Sequence, residues 1–162
     1  MHQTPCRTLA VDLGTKRVGL ALSDEGGSWA SPFDVLEINS PQQAADGVAA
    51  VVAKEGVQRI VVGLPLNMDD SFGPQAKNAV AWGNALSLRT GVLVIFVDER
   101  LSSFEAEQHL KAAKRAGAKL TRQDKKRRLD ALAAVDFLQA FLDGKLNAIA
   151  VPSSAAPKPA EG

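Results

Sequence analysis

Leu9, Val11 and Leu13 alternate with Thr8, Ala10 and Asp12, and Val18, Leu20 and Leu22 alternate with Gly19 and Ala21. A period of two sends successive side chains to opposite faces of a strand, so the pattern predicts two strands joined by a hairpin-length connection at Gly14 to Lys16. Trp29 to Ile38 reads as a third strand, unevenly alternating, in which Pro32 suits an edge or a bulge better than a central position. The period then changes. Ser40, Pro41 and Gln43 supply a capping hydroxyl, a proline at the first helical position and a glutamine three residues after the cap. They predict a helix to about Glu55, with Ala45, Val48, Ala49 and Val52 buried and Gly56 ending it. Arg59 to Leu64 is a continuous apolar run that suits a parallel strand covered on both faces. Beyond a polar loop from Pro65 to Asp70, Gly73 and Pro74 open a helix to about Thr90, with Ala79, Trp82 and Leu86 at helical spacing and Trp82 in the core. Val92 to Val97 is a second buried strand and runs directly into Asp98, Glu99 and Arg100. Ser102 and Glu105 form a capping box for a short helix to about Arg115, and Gly117 breaks it. Thr121 and Asp124 start a last helix, mostly buried because Leu129 to Leu142 is nearly all apolar.

Three strands, a helix, a strand, a helix, a strand and one or two final helices make an α/β protein. An antiparallel meander extended by two parallel strands through helical crossovers fits the mixed five-stranded sheet of ribonuclease H-like folds, flanked by helices. Residues 1–150 of the 162 read as a single domain. The small-residue, proline-rich stretch 151–162 reads as a disordered tail. The longest apolar run is too short to cross a bilayer and MHQTPCR lacks a signal-peptide core, so a cytoplasmic protein with no membrane partner is expected. One cysteine, Cys6, and two histidines, His2 and His109, exclude an intramolecular disulfide and a cysteine metal cluster, and argue against a histidine triad or zinc site.

Charge changes this picture. The chain carries +1 overall, yet Lys111 to Arg128 holds nine basic residues and one acidic residue, a net +8 that leaves −7 for the remainder. Such asymmetry points to a phosphate-backbone partner, with Lys119, Arg122, Lys125, Lys126 and Arg127 as contacts. The acidic residues tell a second story. Asp12 sits in an apolar strand, Asp98 and Glu99 end the last strand, and Asp130 lies in an apolar helix on the face of Ala133, Ala134, Phe137 and Phe141. Ligands in open α/β sheets lie beyond the carboxyl ends of the parallel strands, within reach of all of these. Carboxylates drawn together repel and raise one another's pKa unless a divalent cation neutralises them. Oxygen-only ligation favours Mg²⁺ or Mn²⁺, and one or two such ions suit phosphodiester hydrolysis. Asp98 or Glu99 has a plainer alternative, an ion pair with Arg100 at the strand end.

VDLGTKRVGLALSD, VGLPLNMD, VDERLSS and LDALAAVDFLQAFLD, in this order and spacing, resemble the bacterial YqgF family, also called RuvX-type Holliday junction resolvases. The resemblance covers about residues 8 to 143. It implies a ribonuclease H-like nuclease with catalytic, metal-binding carboxylates at Asp12, Glu99 and Asp130. The family is described both as maturing the 5′ end of pre-16S ribosomal RNA and as resolving DNA junctions. Three departures stand out. Asp70 occupies the place of a glycine after NMD, Asp136 replaces an apolar residue, and the strand of Val62 and Gly63 lacks a carboxylate that related resolvases place there. Asn67 and Asp69 are the candidates to make up for the last, with Asp98 as a further accessory.

The resulting expectation is a metal-dependent endonuclease on structured nucleic acid, with Lys16 beside the scissile strand, Arg100 as a further nucleic-acid contact, and pre-16S rRNA processing ahead of junction resolution. A resolvase cutting two strands symmetrically favours a homodimer, which RNA end maturation does not require. Two other classes compete. A non-catalytic RNA-binding module would bind without its carboxylates. An actin-like ATPase half, suggested by DLGT, would need a second homologous domain for which this chain has no room.

Overall fold

The computed structural model describes residues 6–100 and 122–150, of which 122–130 are described by backbone alone. The expected helix from Ser102, the basic residues Lys111 to Lys119 and the tail from residue 151 lie outside the described residues.

Strand β1 (Thr8–Leu13) pairs antiparallel with β2 (Arg17–Ser23), and β2 pairs antiparallel with β3 (Ala30–Glu37). On the other side of β1, β4 (Arg59–Leu64) and β5 (Leu93–Asp98) add in parallel, giving the order β3-β2-β1-β4-β5. This is the mixed α/β sheet that the element order predicts. The β1–β2 turn closes with the Gly14 N–H donating to the Arg17 carbonyl at 2.9 Å. A Cβ on Gly14 would fall 2.6 Å from that carbonyl oxygen, which restricts the position to glycine. On the far side, Leu20 pairs with Asp34 and Ala21 with Pro32, so Phe33 is the extra residue of a bulge beside the proline.

Helix α1 (Pro41–Glu55) starts as its capping residues require. Ser40 Oγ accepts from the Gln43 N–H at 3.1 Å, and Gln43 Oε1 accepts from the Asn39 N–H at 2.6 Å. Its buried stripe is Ala44, Val48 and Val52, with Ala45 and Ala49 partly buried at the flank, a small rotation from the expected face. Helix α2 (Pro74–Thr90) packs beside α1 on one face of the sheet, and the last helix, α3 (Arg122–Leu142), covers the other. The core is therefore divided by the sheet. Leu9, Val11, Leu20, Val62 and Phe96 meet α1 and α2, whereas Ala10, Ala21, Val61 and Val97 meet Ala134, Phe137 and Leu138 of α3. Gln139 ties α3 to the start of β3, accepting from the Ala30 N–H at 2.9 Å and donating to the Ser28 carbonyl at 3.0 Å.

One expectation needs correcting. The run from Val92 is not a fully buried strand, because β5 is the last strand of the sheet. Leu93 is 60% exposed and only Phe96 and Val97 are buried. The outer edge of β5 gains a hydrogen bond where the Ile149 N–H donates to the Phe96 carbonyl at 2.7 Å. Among the described residues, no helix is long and apolar enough to cross a membrane.

Candidate active site

Asp12 is on the α3 side of β1, in the row of side chains that continues from Ala10. Glu99 follows β5, on the same side as Val97. Since β4 lies between β1 and β5, the backbones of these strands stand about 10 Å apart, too far for two carboxyl groups to meet across an ordinary residue. The intervening residue is Gly63. A Cβ there would lie 3.0 Å from Glu99 Cβ, 3.1 Å from Glu99 Oε2 and 3.0 Å from Phe137 Cε2. The missing side chain is thus the space the Glu99 carboxyl occupies, with Phe137 of α3 closing it from above. Gly63 is read from sequence only as a strand position lacking an acid; a lone glycine in an apolar strand run is also the signal of a close approach, and that is its role here.

The Asp12 and Glu99 carboxyl groups hydrogen bond to one another. Burial, the Asp12 charge, that hydrogen bond and the Asp98 charge, in this order, push the Glu99 pKa up to about 9. The pair therefore holds a shared proton at neutral pH. Its donors are all carboxylate oxygens, the set that suits a hard divalent cation in place of that proton. Among the described residues no third His, Cys, Asp or Glu completes a cluster. Asp130 lies on α3 seven residues before Phe137, two helical turns along the face that packs on the sheet, and its side chain is outside the described residues. Asp136, expected where an apolar residue belongs, is buried.

The remaining candidates are drawn elsewhere. Arg100 Nε donates to both Asp98 oxygens at 2.9 and 3.1 Å, Nη2 donates to Asp98 Oδ2 at 2.6 Å and to Asp70, and Nη1 donates to the Asn67 carbonyl at 2.6 Å. Arg100, expected as a nucleic-acid contact, clamps the loop after β4 to the end of β5. The plainer alternative thus applies to Asp98, whose pKa is lowered by Arg100, and not to Glu99. Asp69 caps its own loop by accepting from the Ser71 hydroxyl and N–H, and Asn67 Nδ2 donates to Ser71 Oγ at 2.9 Å. Neither reaches into the carboxyl pair through these bonds. Lys16 is exposed on the β1–β2 turn. Arg122, Lys125, Lys126 and Arg127 lie on the first turns of α3, described by backbone alone, and Lys119 is outside the described residues.

Asp70 has φ 67°, the left-handed conformation that glycine adopts freely. Where glycine is expected, Asp70 takes a conformation that glycine favours and adds a carboxylate that reaches Arg100. Asp70→Gly is accordingly expected to be near neutral. Asp70→Ala keeps the strain that Asp70 already carries and loses an exposed ion pair, and should lower stability by only about 0.2–1 kcal/mol in urea denaturation.

A family model described as "RuvX: Holliday junction resolvase" matches residues 6–144. The chain belongs to the RuvX family. Among curated RuvX relatives, a protein of Pelotomaculum thermopropionicum is 39% identical over 140 residues, covering 86% of this chain and 88% of the relative. Another, from an Anaeromyxobacter species, is 41% identical over 139 residues, covering 86% and 98%. Both carry the name "Putative pre-16S rRNA nuclease". Among solved structures, Thermus thermophilus RuvC in complex with a Holliday junction substrate superposes with a TM-score of 0.52 at 17% identity, covering 89% of this chain and 99% of that one. At that identity the likeness concerns the fold alone, and the fold is the one expected.

Proposed function

We propose that this RuvX-family protein is a divalent-metal-dependent endonuclease that hydrolyses phosphodiester bonds in structured nucleic acid, with the 5′ region of pre-16S rRNA as its substrate. The observation that carries the reading is the meeting of Asp12 and Glu99 in the space left by Gly63. A binding module has no need of two acids pressed together against their own repulsion, whereas a cation site does. Asp12, Glu99 and Asp130 would hold Mg²⁺ or Mn²⁺. When bound there, the ion supplies neutralisation of the carboxylates, activation of water and stabilisation of the leaving oxygen. Asp12 and Glu99 give up their shared proton and orient the site from two strands of a rigid sheet. Phe137 excludes water from its upper side. The names of the curated relatives favour the RNA substrate; the description of the family model favours a four-way DNA junction as the second reading.

Both substrates belong in one assay. A labelled pre-16S 5′ leader and a labelled four-way junction, each offered with Mn²⁺, should be compared for the wild type and for Asp12→Asn, Glu99→Gln and Asp130→Asn. Each variant is expected to lose cleavage while remaining folded, and full activity in all three would overturn the reading. The basic segment makes a separate prediction. Replacing Lys125, Lys126 and Arg127 by alanine should weaken binding and flatten the slope of log affinity against log salt by about 0.7–0.9 for each phosphate no longer neutralised. An unchanged slope in a filter-binding titration would remove these residues from the interface.

A further inference from the structure

Beside the carboxyl pair, a cleft of about 450 Å³ opens between the β1–β2 turn and the N-terminal ends of α1 and α2. Its size falls in the range of small-ligand sites. The floor is apolar, made by Leu13, Ile38, Ala79 and Trp82. The Trp82 indole N–H donates to the Pro41 carbonyl at 3.0 Å, which fixes the ring and pins the start of α1 against α2. The rim carries three carboxamides, Asn39, Gln75 and Asn78. All three are exposed, and among the described residues none makes a hydrogen bond through its side chain. Gln75 and Asn78 are one turn apart and share a face of α2 with Ala79 and Trp82.

The charge of the cleft narrows its ligand. Among the described residues, Glu99 is the one ionisable side chain on its wall, and no lysine or arginine lines it. A phosphate group would face that carboxylate with no basic partner. A neutral, flat heterocycle with donors and acceptors on its edge matches an apolar floor and a rim of carboxamides, each of which both donates and accepts. Glu99 belongs to the cleft wall and to the carboxyl pair alike. A base lodged in the cleft therefore brings its own backbone to the pair.

We propose that this cleft is a nucleobase subsite, taking one unstacked base of the substrate next to the bond to be cut and reading its edge through Asn39, Gln75 and Asn78. The inference rests on the nuclease reading above and names the part of the substrate that the site recognises. The base must leave its stack to enter, so the subsite favours loops, bulges and single-stranded ends over continuous duplex.

The test is a titration of the metal-free, full-length protein followed by NMR of its side-chain amides. Adenosine, guanosine, cytidine, uridine and inorganic phosphate serve as separate probes. At least one nucleoside should shift the Asn39, Gln75 and Asn78 side-chain amides and the Trp82 indole together, and phosphate should not. Asn78→Leu, at an exposed position, should keep the fold and bind that nucleoside about three- to tenfold more weakly. Absence of a shift with every nucleoside, equal affinity in Asn78→Leu, or the same shifts produced by phosphate would each overturn the subsite. Nucleoside binding by a protein that cleaves nothing would preserve the subsite and remove the nuclease reading. Cleavage by a protein that binds no nucleoside would do the reverse.

Discussion

Glu99→Gln is expected to raise the melting temperature of the metal-free protein at pH 8, by roughly 2–6 °C, while removing metal-dependent cleavage. The sign follows from the proton count. In the folded chain the Glu99 pKa is raised from its ordinary 4.5 to about 9 by burial and by Asp12. Between these values the folded state holds a proton that the unfolded state has released, so stability falls as pH rises through this window. Glutamine cannot ionise, and its N–H still donates to Asp12. The variant should therefore escape the loss, gaining at pH 8 and much less at pH 5, because the loss accumulates with each pH unit above 4.5 at which Glu99 is ionised when unfolded and protonated when folded. Thermal melts by circular dichroism in EDTA from pH 5 to 9 check this, and parallel curves for the two proteins would contradict it. Cleavage moves the other way, with an expected loss of about 10³-fold, the order associated with removing one preorganised electrostatic group.

Gly63→Ala is the second large effect, and it comes from a residue with no chemistry of its own. The added methyl would meet Glu99 and Phe137 at 3.0 Å, inside ordinary contact. One neighbour must give way. Overpacking of this kind costs about 1–3 kcal/mol, and displacing a catalytic group by about 1 Å costs on the order of 10²-fold in rate. The carboxyl pair should separate, so the Glu99 pKa should also move back toward its ordinary value. Gly26→Ala is the matched control, since a Cβ there meets the Asp24 side chain at a comfortable 3.5 Å. Urea denaturation and single-turnover cleavage of both variants give the comparison. Wild-type cleavage by Gly63→Ala would show that the space above Gly63 does not set the position of Glu99.

Much of the fold is legible in the sequence because its signals are local. The period of two in β1 and β2, the Ser40–Pro41–Gln43 start of α1 and the closing glycines at 56 and 91 each act over a few residues, and each element forms as they require. Burial of β5 is harder to read. An apolar run looks alike at the edge and at the centre of a sheet, and only the strand order exposes Leu93. The site divides along the same line. Asp12 is conspicuous as an acid in an apolar strand, and family motifs choose Glu99 over Asp98. Arg100 is legible as a partner of Asp98 at the strand end, but that it also holds Asp70 could not be read from spacing, because Asp70 lies 30 residues away across a loop. Nor does sequence reveal the cleft, whose rim residues Asn39, Gln75 and Asn78 come from two helix starts that meet only after the sheet has formed. Asp70, placed where glycine is expected, adopts a backbone conformation that glycine favours.

The central claim is that Asp12 and Glu99 form a divalent cation site. Calorimetric titration of Mn²⁺ into the wild type and into Asp12→Asn tests it without reference to any substrate. Binding is predicted for the wild type, tightening from pH 6 to pH 9 as the cation displaces the shared proton, and its loss is predicted for Asp12→Asn. Mn²⁺ binding of equal affinity and equal pH dependence in the two proteins would contradict the account.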